Sequence, residues 1–203
     1  IIILNISEKI DFSKTFLTQL KKIFQESAVP IVYGGGIKNI KQIKKLIHAG
    51  CEKISINDSA ITNPRLIAEA SKILGSQSVV VSIDVKKIGE QFIIYRKNGT
   101  IKTNLDLVEY VKKIQNYGAG EILITSIDNE GLMNGYNNEI IKKIISYVKI
   151  PIILNGGAGS SDHIKNSLKY DQNLNFACSS FFIFATKTRG ILINYPFSKQ
   201  KKI

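Results

Sequence analysis

The sequence has little of what several protein classes require. Of its 203 residues, 2 are cysteine, 1 is methionine and none is tryptophan. Cys51 and Cys178 are too few for a disulfide framework, and their apolar neighbours indicate strand residues with buried thiols. No run approaches the roughly 20 apolar residues that a membrane span needs, and no secretory signal pattern opens the chain. We therefore expect a cytoplasmic protein with no membrane partner.

Sequence patterns for several kinds of chemistry are also missing. The two histidines, His48 and His163, form no group with Cys or Asp at the spacing of a metal site. There is no serine elbow typical of hydrolases and no glycine fingerprint typical of dinucleotide-binding domains. The sequence therefore predicts neither a metal nor a cofactor.

Acidic residues are scarce beside basic ones, at 16 against 28, which gives a formal net charge of +12. An excess of this size favours nucleic-acid binding when the cations cluster. Here the lysines are spread along predicted helix faces, and only the last five residues form a basic tail. The chain is also rich in Ile, Lys and Asn, so a compositional bias explains the charge. We expect no nucleic-acid partner unless the lysines form one continuous face.

Short β-branched runs alternate with amphipathic helical runs along the chain, which is typical of βα units and a parallel sheet. Most predicted strands are unbroken apolar runs, as expected for strands covered on both faces. Residues 91 to 103 carry an Asn98-Gly99 turn between two alternating runs and predict an inserted hairpin. We interpret residues 1 to 203 as one α/β domain. The seven predicted strands are 1 to 5, 30 to 33, 52 to 56, 78 to 83, 121 to 126, 151 to 154 and 174 to 179.

An internal repeat divides the chain into two similar halves. PIVYGGG at 30 to 36 returns as PIILNGG at 151 to 157. Each copy is followed by a helix, a strand and a polar pair, Asn57-Asp58 in the first half and Ser179-Ser180 in the second. Repeats of this kind imply two equivalent half-barrels. Such a duplication suits a ligand that carries a phosphate at each end.

Both glycine-rich turns follow predicted strands, at the end where barrel enzymes build their active sites. Glycines at such a turn let backbone N–H groups approach an anion, and the N-terminus of a following helix adds a favourable dipole. The same glycines could serve only a tight turn. Because each turn is followed one strand later by a hydrogen-bonding residue, Asn57 or Ser180, the pair predicts phosphate sites at Gly35-Gly36 and Gly156-Gly157.

Two aspartates end apolar strands. Asp84 follows Val79 to Ile83, where an unpaired carboxylate would be costly to desolvate, and we predict that it acts as a general acid or base. A salt bridge to Lys86 or Lys87 is the alternative. Asp128 has the same placement, and we expect it to cap the loop 129 to 135 through an Asx turn.

From residue 1 to about 184 the sequence resembles the cyclase subunit of imidazole glycerol phosphate synthase. The resemblance implies a (β/α)8 TIM barrel of the ribulose-phosphate-binding type, here lacking its first βα unit. Members of that family are lyases that use ammonia from a glutaminase partner. They convert a bis-phosphorylated imidazole carboxamide ribonucleotide to imidazole glycerol phosphate and an aminoimidazole carboxamide ribonucleotide. The matching segments are VYGGGIKN at 32 to 39, CEKISIN at 51 to 57, GSQSVVVSIDVKK at 75 to 87, GAGEILITSID at 118 to 128 and NGGAG at 155 to 159.

The resemblance also implies roles for individual residues. Asp84 matches a catalytic aspartate, and Thr125 matches a residue that contacts the linker between the two phosphates. Lys53 and Glu121, at the opposite end of the barrel, match charged residues that gate an ammonia passage. An ion pair at the bottom of the barrel is the simpler interpretation, and the two are compatible. The phosphate pockets are matched by Gly36 and Asn57 on one side and by Gly131, Gly157 and Ser180 on the other.

Some positions depart from the family. Asn5 stands where the family has aspartate, Glu130 also replaces an aspartate, and Asp58 replaces a hydroxyl residue, so we expect Asp58 to repel a phosphate. The sequence starts in mid-strand at Ile1 without the family's first catalytic aspartate, which we interpret as a fragment that is marginally stable.

The tail FFIFATKTRGILINYPF resembles a paralogous branch linked to acetamidino modification of surface sugars. A sugar amidotransferase is the partner expected for that branch. The histidine pathway, that branch and a catalytically dead phosphate-binding barrel therefore stay open.

Overall fold

The computed structural model describes residues 1–7 and 10–184. In this part of the chain, seven parallel strands form a curled sheet in the order β1-β2-β3-β4-β7-β8-β9, and β5 and β6 extend it as an antiparallel hairpin on β4. The sheet and its helices form part of a (β/α)8 barrel, which confirms the predicted fold class. The strands are β1 (Ile2–Leu4), β2 (Val32–Gly34), β3 (Lys53–Ile56), β4 (Val79–Ile88), β5 (Gln91–Arg96), β6 (Ile101–Asp106), β7 (Glu121–Ser126), β8 (Ile152–Asn155) and β9 (Asn175–Phe176).

Helices connect the strands, and several begin where a polar side chain accepts a hydrogen bond from a free backbone N–H of the first turn. Ser13, Asn39, Asp106 and Ser160 cap α1, α2, α5 and α7 in this way. Apolar residues at helical spacing then face the sheet. The helices are α1 (Lys14–Glu26), α2 (Ile40–His48), α3 (Asp58–Thr62), α4 (Arg65–Leu74), α5 (Leu107–Asn116), α6 (Asn138–Ile144), α7 (Ser161–Leu168) and α8 (Ser180–Ile183).

Two apolar layers lie on opposite faces of the sheet. The larger one packs between the strands and the helices and contains residues such as Val79, Val81 and Ile83 of β4. The smaller one lies on the inner face, where Val32, Val80 and Leu123 pack together. Because side chains alternate along a strand, the even residues of β4 and the odd residues of β7 share this inner face.

The structure corrects three details of the sequence-based expectations. The strand predicted to end at residue 83 continues to Ile88, because β5 pairs with it from Asp84 to Ile88. The strand predicted at 174 to 179 is regular over two residues only. Cys51 is buried, but Cys178 is half-buried, and neither lies within a strand. In the described part of the chain, no helix is long and apolar enough to cross a membrane.

β4 offers a test of how much the layer between the sheet and the helices stabilises the fold. Ile83 is fully buried, whereas Ile88 on the same strand is 45% exposed. We expect Ile83→Ala to lower the free energy of unfolding by about 2–5 kcal/mol, because it removes contacts and leaves a cavity. Ile88→Ala is the matched control and should change it by less than about 1 kcal/mol. Denaturant unfolding checks both, and equal effects would contradict the burial of Ile83.

Candidate functional site

A cavity of about 390 Å³ opens at the carboxyl ends of the strands. It is lined by loops that follow β1, β2, β3 and β7, by the inner face of the sheet, and by the tip of the β5–β6 hairpin. The structure thus brings five of the predicted site residues to one place, although they lie up to 90 positions apart. These residues are Gly35, Gly36, Asn57, Asp84 and Thr125.

Asp84 lies where β4 changes partners. β3 pairs with β4 as far as Val81, and from Asp84 onward β5 takes that side of the strand, while β7 stays on the other side. The Asp84 carboxylate accepts a hydrogen bond of 3.0 Å from Asn57 Nδ2. Within the described residues it forms no salt bridge with Lys86 or Lys87, so that alternative is wrong. Lys87 instead pairs with Glu139 at 2.6 Å.

Burial raises the pKa of Asp84 from 3.8 to about 6. The Asn57 hydrogen bond favours the ionised form and opposes this shift, while the Glu130 carboxylate adds to it. A carboxyl group with a pKa in this range can both take up and release a proton close to neutral pH, as a general acid or base must.

A second polar group lies beside Asp84. The parallel register places Asp84, Thr125 and Asn155 abreast on β4, β7 and β8. Asn155 Nδ2 lies 3.2 Å from both Thr125 Oγ1 and Glu130 Oε2, and burial raises the pKa of Glu130. The middle of the site can therefore offer amide, hydroxyl and carboxyl groups to one bound molecule.

The glycines of the two turns are required by packing. Gly35 and Gly36 have φ values of 114° and 65°, and a Cβ at Gly35 would lie 2.2 Å from Asn5 O. A Cβ at Gly157, where φ is 101°, would lie 2.1 Å from Gly135 O. The turns therefore need glycine with or without an anion, so the phosphate sites stay a prediction.

A smaller cleft adjoins the cavity and gathers the residues expected around the second phosphate. Gly131, Gly156, Gly157 and Ser180 line it. Glu130 and Asn155 line both the cleft and the larger cavity, so the two spaces are neighbours across these side chains.

The helix starts nearest to the two spaces are not those expected from the sequence. α2 begins at Ile40, and its first turn is already capped by the Asn39 side chain. α3 and α8, the short helices of residues 58–62 and 180–183, begin at residues that line the cavity and the cleft. Their first residues, Asp58 and Ser180, lie where the predicted phosphates would bind.

Asp58, expected to repel a phosphate, is paired. Arg96 at the end of β5 reaches its carboxylate with two bonds, Nε to Oδ1 at 2.6 Å and Nη2 to Oδ2 at 3.3 Å. A positive charge on the hairpin therefore offsets the negative charge that the sequence placed beside Asn57.

Asp128 does not cap the loop that follows it. Its carboxylate accepts a hydrogen bond of 2.8 Å from Lys87 N and so fastens β4 to β7 at an exposed position. The loop is held by Asn129, which donates to Asn134 Oδ1 and to Gly135 O and accepts from Ser126 Oγ. The expected Asx turn at Asp128 is therefore wrong, and the loop depends on the side chain of Asn129 instead.

Lys53 and Glu121 lie at the amino ends of β3 and β7, far along the strands from Asp84. Lys53 Nζ pairs with Glu121 Oε1 on the inner face of the sheet. The ion-pair interpretation is therefore correct, and it does not exclude a gate. Among the described residues, no group of three or more His, Cys, Asp or Glu could hold a metal ion.

Several lining residues escaped the sequence reasoning. Lys38, Lys97 and Asn98 line the cavity, but Lys97 and Asn98 belong to a hairpin whose direction the sequence does not indicate. Asn155 could have been found, because it ends a buried strand directly before a glycine pair. The tail resemblance at 181 to 197 lies mostly outside the described residues.

Comparison with known proteins gives a consistent result. The model of the family described as histidine biosynthesis protein matches residues 1–183. Imidazole glycerol phosphate synthase subunit HisF of Dictyoglomus thermophilum is 39% identical over 93% of this chain and 75% of that protein. The same subunit of Sulfurisphaera tokodaii is 38% identical over 83% of the chain and 68% of that protein. The same subunit of Thermococcus onnurineus is 37% identical over 89% of the chain and 72% of that protein.

The raised pKa of Asp84 has a consequence for stability. A carboxyl group whose pKa is higher in the folded state stabilises the fold at low pH, and this contribution is lost as the pH rises through about 6. We expect Asp84→Asn, which keeps an acceptor for Asn57, to unfold like the unsubstituted chain near pH 4. Near pH 7 the variant should be more stable by about 1–3 kcal/mol. Denaturant titrations at both pH values check this, and a pH-independent difference would contradict it.

Proposed function

The chain belongs to the histidine biosynthesis protein family, with HisF cyclase subunits of imidazole glycerol phosphate synthase as its relatives, and we propose that it performs their ammonia-dependent lyase and cyclase reaction. The substrate is a bis-phosphorylated imidazole carboxamide ribonucleotide. The products are imidazole glycerol phosphate and an aminoimidazole carboxamide ribonucleotide.

The observation that carries the proposal is the position of Asp84. Its carboxyl group lines a cavity that has the Gly35-Gly36 turn on one side and adjoins the Gly131 and Gly157 cleft on the other. A ligand held by a phosphate at each end would pass over Asp84, Thr125 and Asn155. Asp84 would then exchange a proton with the reacting part of the ligand, because its pKa of about 6 suits both directions of transfer.

The phosphate groups would be held mainly by backbone. At the first turn, the lining residues Gly36, Asn57 and Asp58 would supply backbone N–H groups, and Lys38 would add a cation. At the second, Gly157 and Ser180 hold the corresponding places. The backbone N–H groups of a folded turn are already fixed in position, so phosphate binding does not have to order them.

Ammonia would enter from the opposite end of the sheet. Lys53 and Glu121 pair there on the inner face. Val32 and Val80 are their register partners on β2 and β4, and Leu123 lies two residues further along β7 toward its carboxyl end. We propose that a glutaminase subunit docks at this end, and that the ion pair controls the passage of ammonia into the interior. Apolar side chains around the pair would let neutral ammonia pass more readily than ammonium.

Substitution of Asp84 tests the catalytic role. With ammonium salts as the nitrogen source, Asp84→Asn should lower turnover by about 10²-fold or more, the scale for losing a positioned acid or base. Affinity for the substrate should change little, because the phosphate pockets are intact. Appearance of the aminoimidazole product measures turnover, and calorimetry measures binding.

Two further aspartates serve as controls. Asp162→Asn removes an exposed carboxylate of α7 that pairs with Lys165, and it should leave turnover unchanged. Asp128→Asn removes the exposed carboxylate at the end of β7. If this change abolished turnover while Asp84→Asn did not, the role assigned to Asp84 would be wrong. Tight substrate binding without any turnover in the unsubstituted protein would favour a catalytically dead barrel.

The ammonia gate has a separate test. Lys53→Ala should lower turnover driven by glutamine and the glutaminase by about 10-fold, equivalent to roughly 1.4 kcal/mol of activation free energy. Turnover with added ammonium should stay within about 3-fold, because the reacting site is untouched. Lys112→Ala is the control, since Lys112 pairs with Glu109 on the surface of α5. Equal losses with both nitrogen sources would mean that the pair is only structural.

A further inference from the structure

Asp58 and Arg96 form a contact that neither turn motif predicts. Asp58 is the first residue of α3, directly after Asn57, and Arg96 is the last residue of β5. The two bonds between them are Nε to Oδ1 at 2.6 Å and Nη2 to Oδ2 at 3.3 Å. Two parallel bonds from a planar guanidinium fix the orientation of a carboxylate as well as its position.

The charges around the cavity show why this orientation matters. Among the described lining residues, the cations are Lys38 and Lys97, and the carboxylates are Asp58, Asp84 and Glu130. Carboxylates are therefore in excess within the lining itself. A phosphate that enters such a space meets repulsion from any carboxylate turned toward it. Arg96 supplies the missing positive charge, and it does so at the carboxylate closest in sequence to Asn57.

The hairpin is held in the position that this contact needs. Lys97, Asn98 and Gly99 all have positive φ values, between 49° and 77°, and form a tight tip. Asn98 Nδ2 donates a hydrogen bond of 3.2 Å to Ile6 O, across the mouth of the cavity. The tip is thus fastened on one side to the segment after β1 and, through Arg96, on the other side to α3.

Two residues that line the cavity, Ser55 and Asn57, have a buried side-chain oxygen without a hydrogen-bond partner among the described residues. Asn57 Oδ1 is buried and has no hydrogen-bond partner among the described residues, while its Nδ2 is used by Asp84. An unpaired buried acceptor is costly. A ligand that carries a hydroxyl or N–H group next to its phosphate would satisfy it.

We propose that Arg96 is a positioning residue of the first phosphate pocket. It draws the Asp58 carboxylate toward the hairpin and cancels its charge, so that the turn at Gly35 and Gly36 accepts a phosphate group. This inference rests on the proposed function for the existence of that pocket. It adds the residue that makes the pocket compatible with a carboxylate at position 58.

Residue-resolved NMR tests the inference. The protein is titrated with inorganic phosphate at low ionic strength, and the amide shifts of Gly35 and Gly36 are followed separately from those of Gly156 and Gly157. Arg96→Ala should weaken phosphate binding at the first pair by about 10-fold or more, the effect expected of an uncompensated carboxylate within about 4–6 Å. Binding at the second pair should not change. The difference should shrink as salt is added, because exposed charges are screened.

The double variant Asp58→Asn/Arg96→Ala separates charge compensation from a mere loss of structure. With no carboxylate to repel the anion, it should bind phosphate at Gly35 and Gly36 within about 3-fold of the unsubstituted protein. Arg96→Lys keeps the charge but loses the two parallel bonds, so its affinity should lie between those of Arg96→Ala and the unsubstituted protein. Arg65→Ala removes an exposed arginine of α4 and should have no effect. The amide spectrum of each variant is recorded without phosphate and compared with that of the unsubstituted protein, which shows whether the variant is folded.

Two results would overturn the inference. Either Arg96→Ala binds phosphate at the first pair as well as the unsubstituted protein does, or the double variant binds no better than Arg96→Ala. If the unsubstituted protein showed no phosphate-dependent shifts at Gly35 and Gly36 although Gly156 and Gly157 responded, the first pocket and the inference would both be wrong. Absence of shifts at both pairs would contradict the proposed function as a whole.

Discussion

Parallel pairing of β4, β7 and β8 decides which side chains face the interior. In this register Asp84, Thr125 and Asn155 are neighbours across three strands, and alternation sends Ile83, Ile124 and Leu154 to the helix-facing side. A shift of one residue in any of these strands would exchange the two sets. When Ile83 and its neighbours pack under the helices, the alternate residue Asp84 must face the interior of the barrel. The apolar layer therefore determines where the polar side chains at the carboxyl ends of the strands lie.

The environment of Asp84 follows from this arrangement. The strand carries it to the edge of the apolar layer, where burial favours the protonated form. Asn57, directly after β3, donates a hydrogen bond that favours the carboxylate. Lys53 and Glu121 lie at the amino ends of β3 and β7. Their partly buried charges compensate each other in an ion pair. The inner face of the sheet thus carries an ion pair at its amino end. At its carboxyl end it carries Asp84, which can be protonated or ionised close to neutral pH.

Local signals in the sequence were enough for the strands, the hairpin turn and both glycine turns, because each depends on a periodicity or on a residue with special backbone freedom. The repeat, together with the rule that barrel sites form at the carboxyl ends of strands, also brought Gly36, Asn57 and Asp84 into one group. Contacts between distant segments were missed. The Asp58–Arg96 pair depends on how the hairpin bends back over α3, and the bond from Lys87 N to Asp128 depends on how far β4 continues. The spacing of residues along the chain does not indicate either of these two contacts.

β4 is shared between two kinds of sheet. Its first half is a barrel strand between β3 and β7, and its second half is the first strand of an antiparallel ribbon with β5 and β6. Asp84 pairs with Thr125 on one side and with Tyr95 on the other. The hairpin is therefore not an interchangeable loop. A different insertion grafted at this point would replace the backbone hydrogen bonds beside the proposed catalytic carboxylate. In a redesigned barrel, the ribbon and the reacting centre therefore have to be exchanged as one unit.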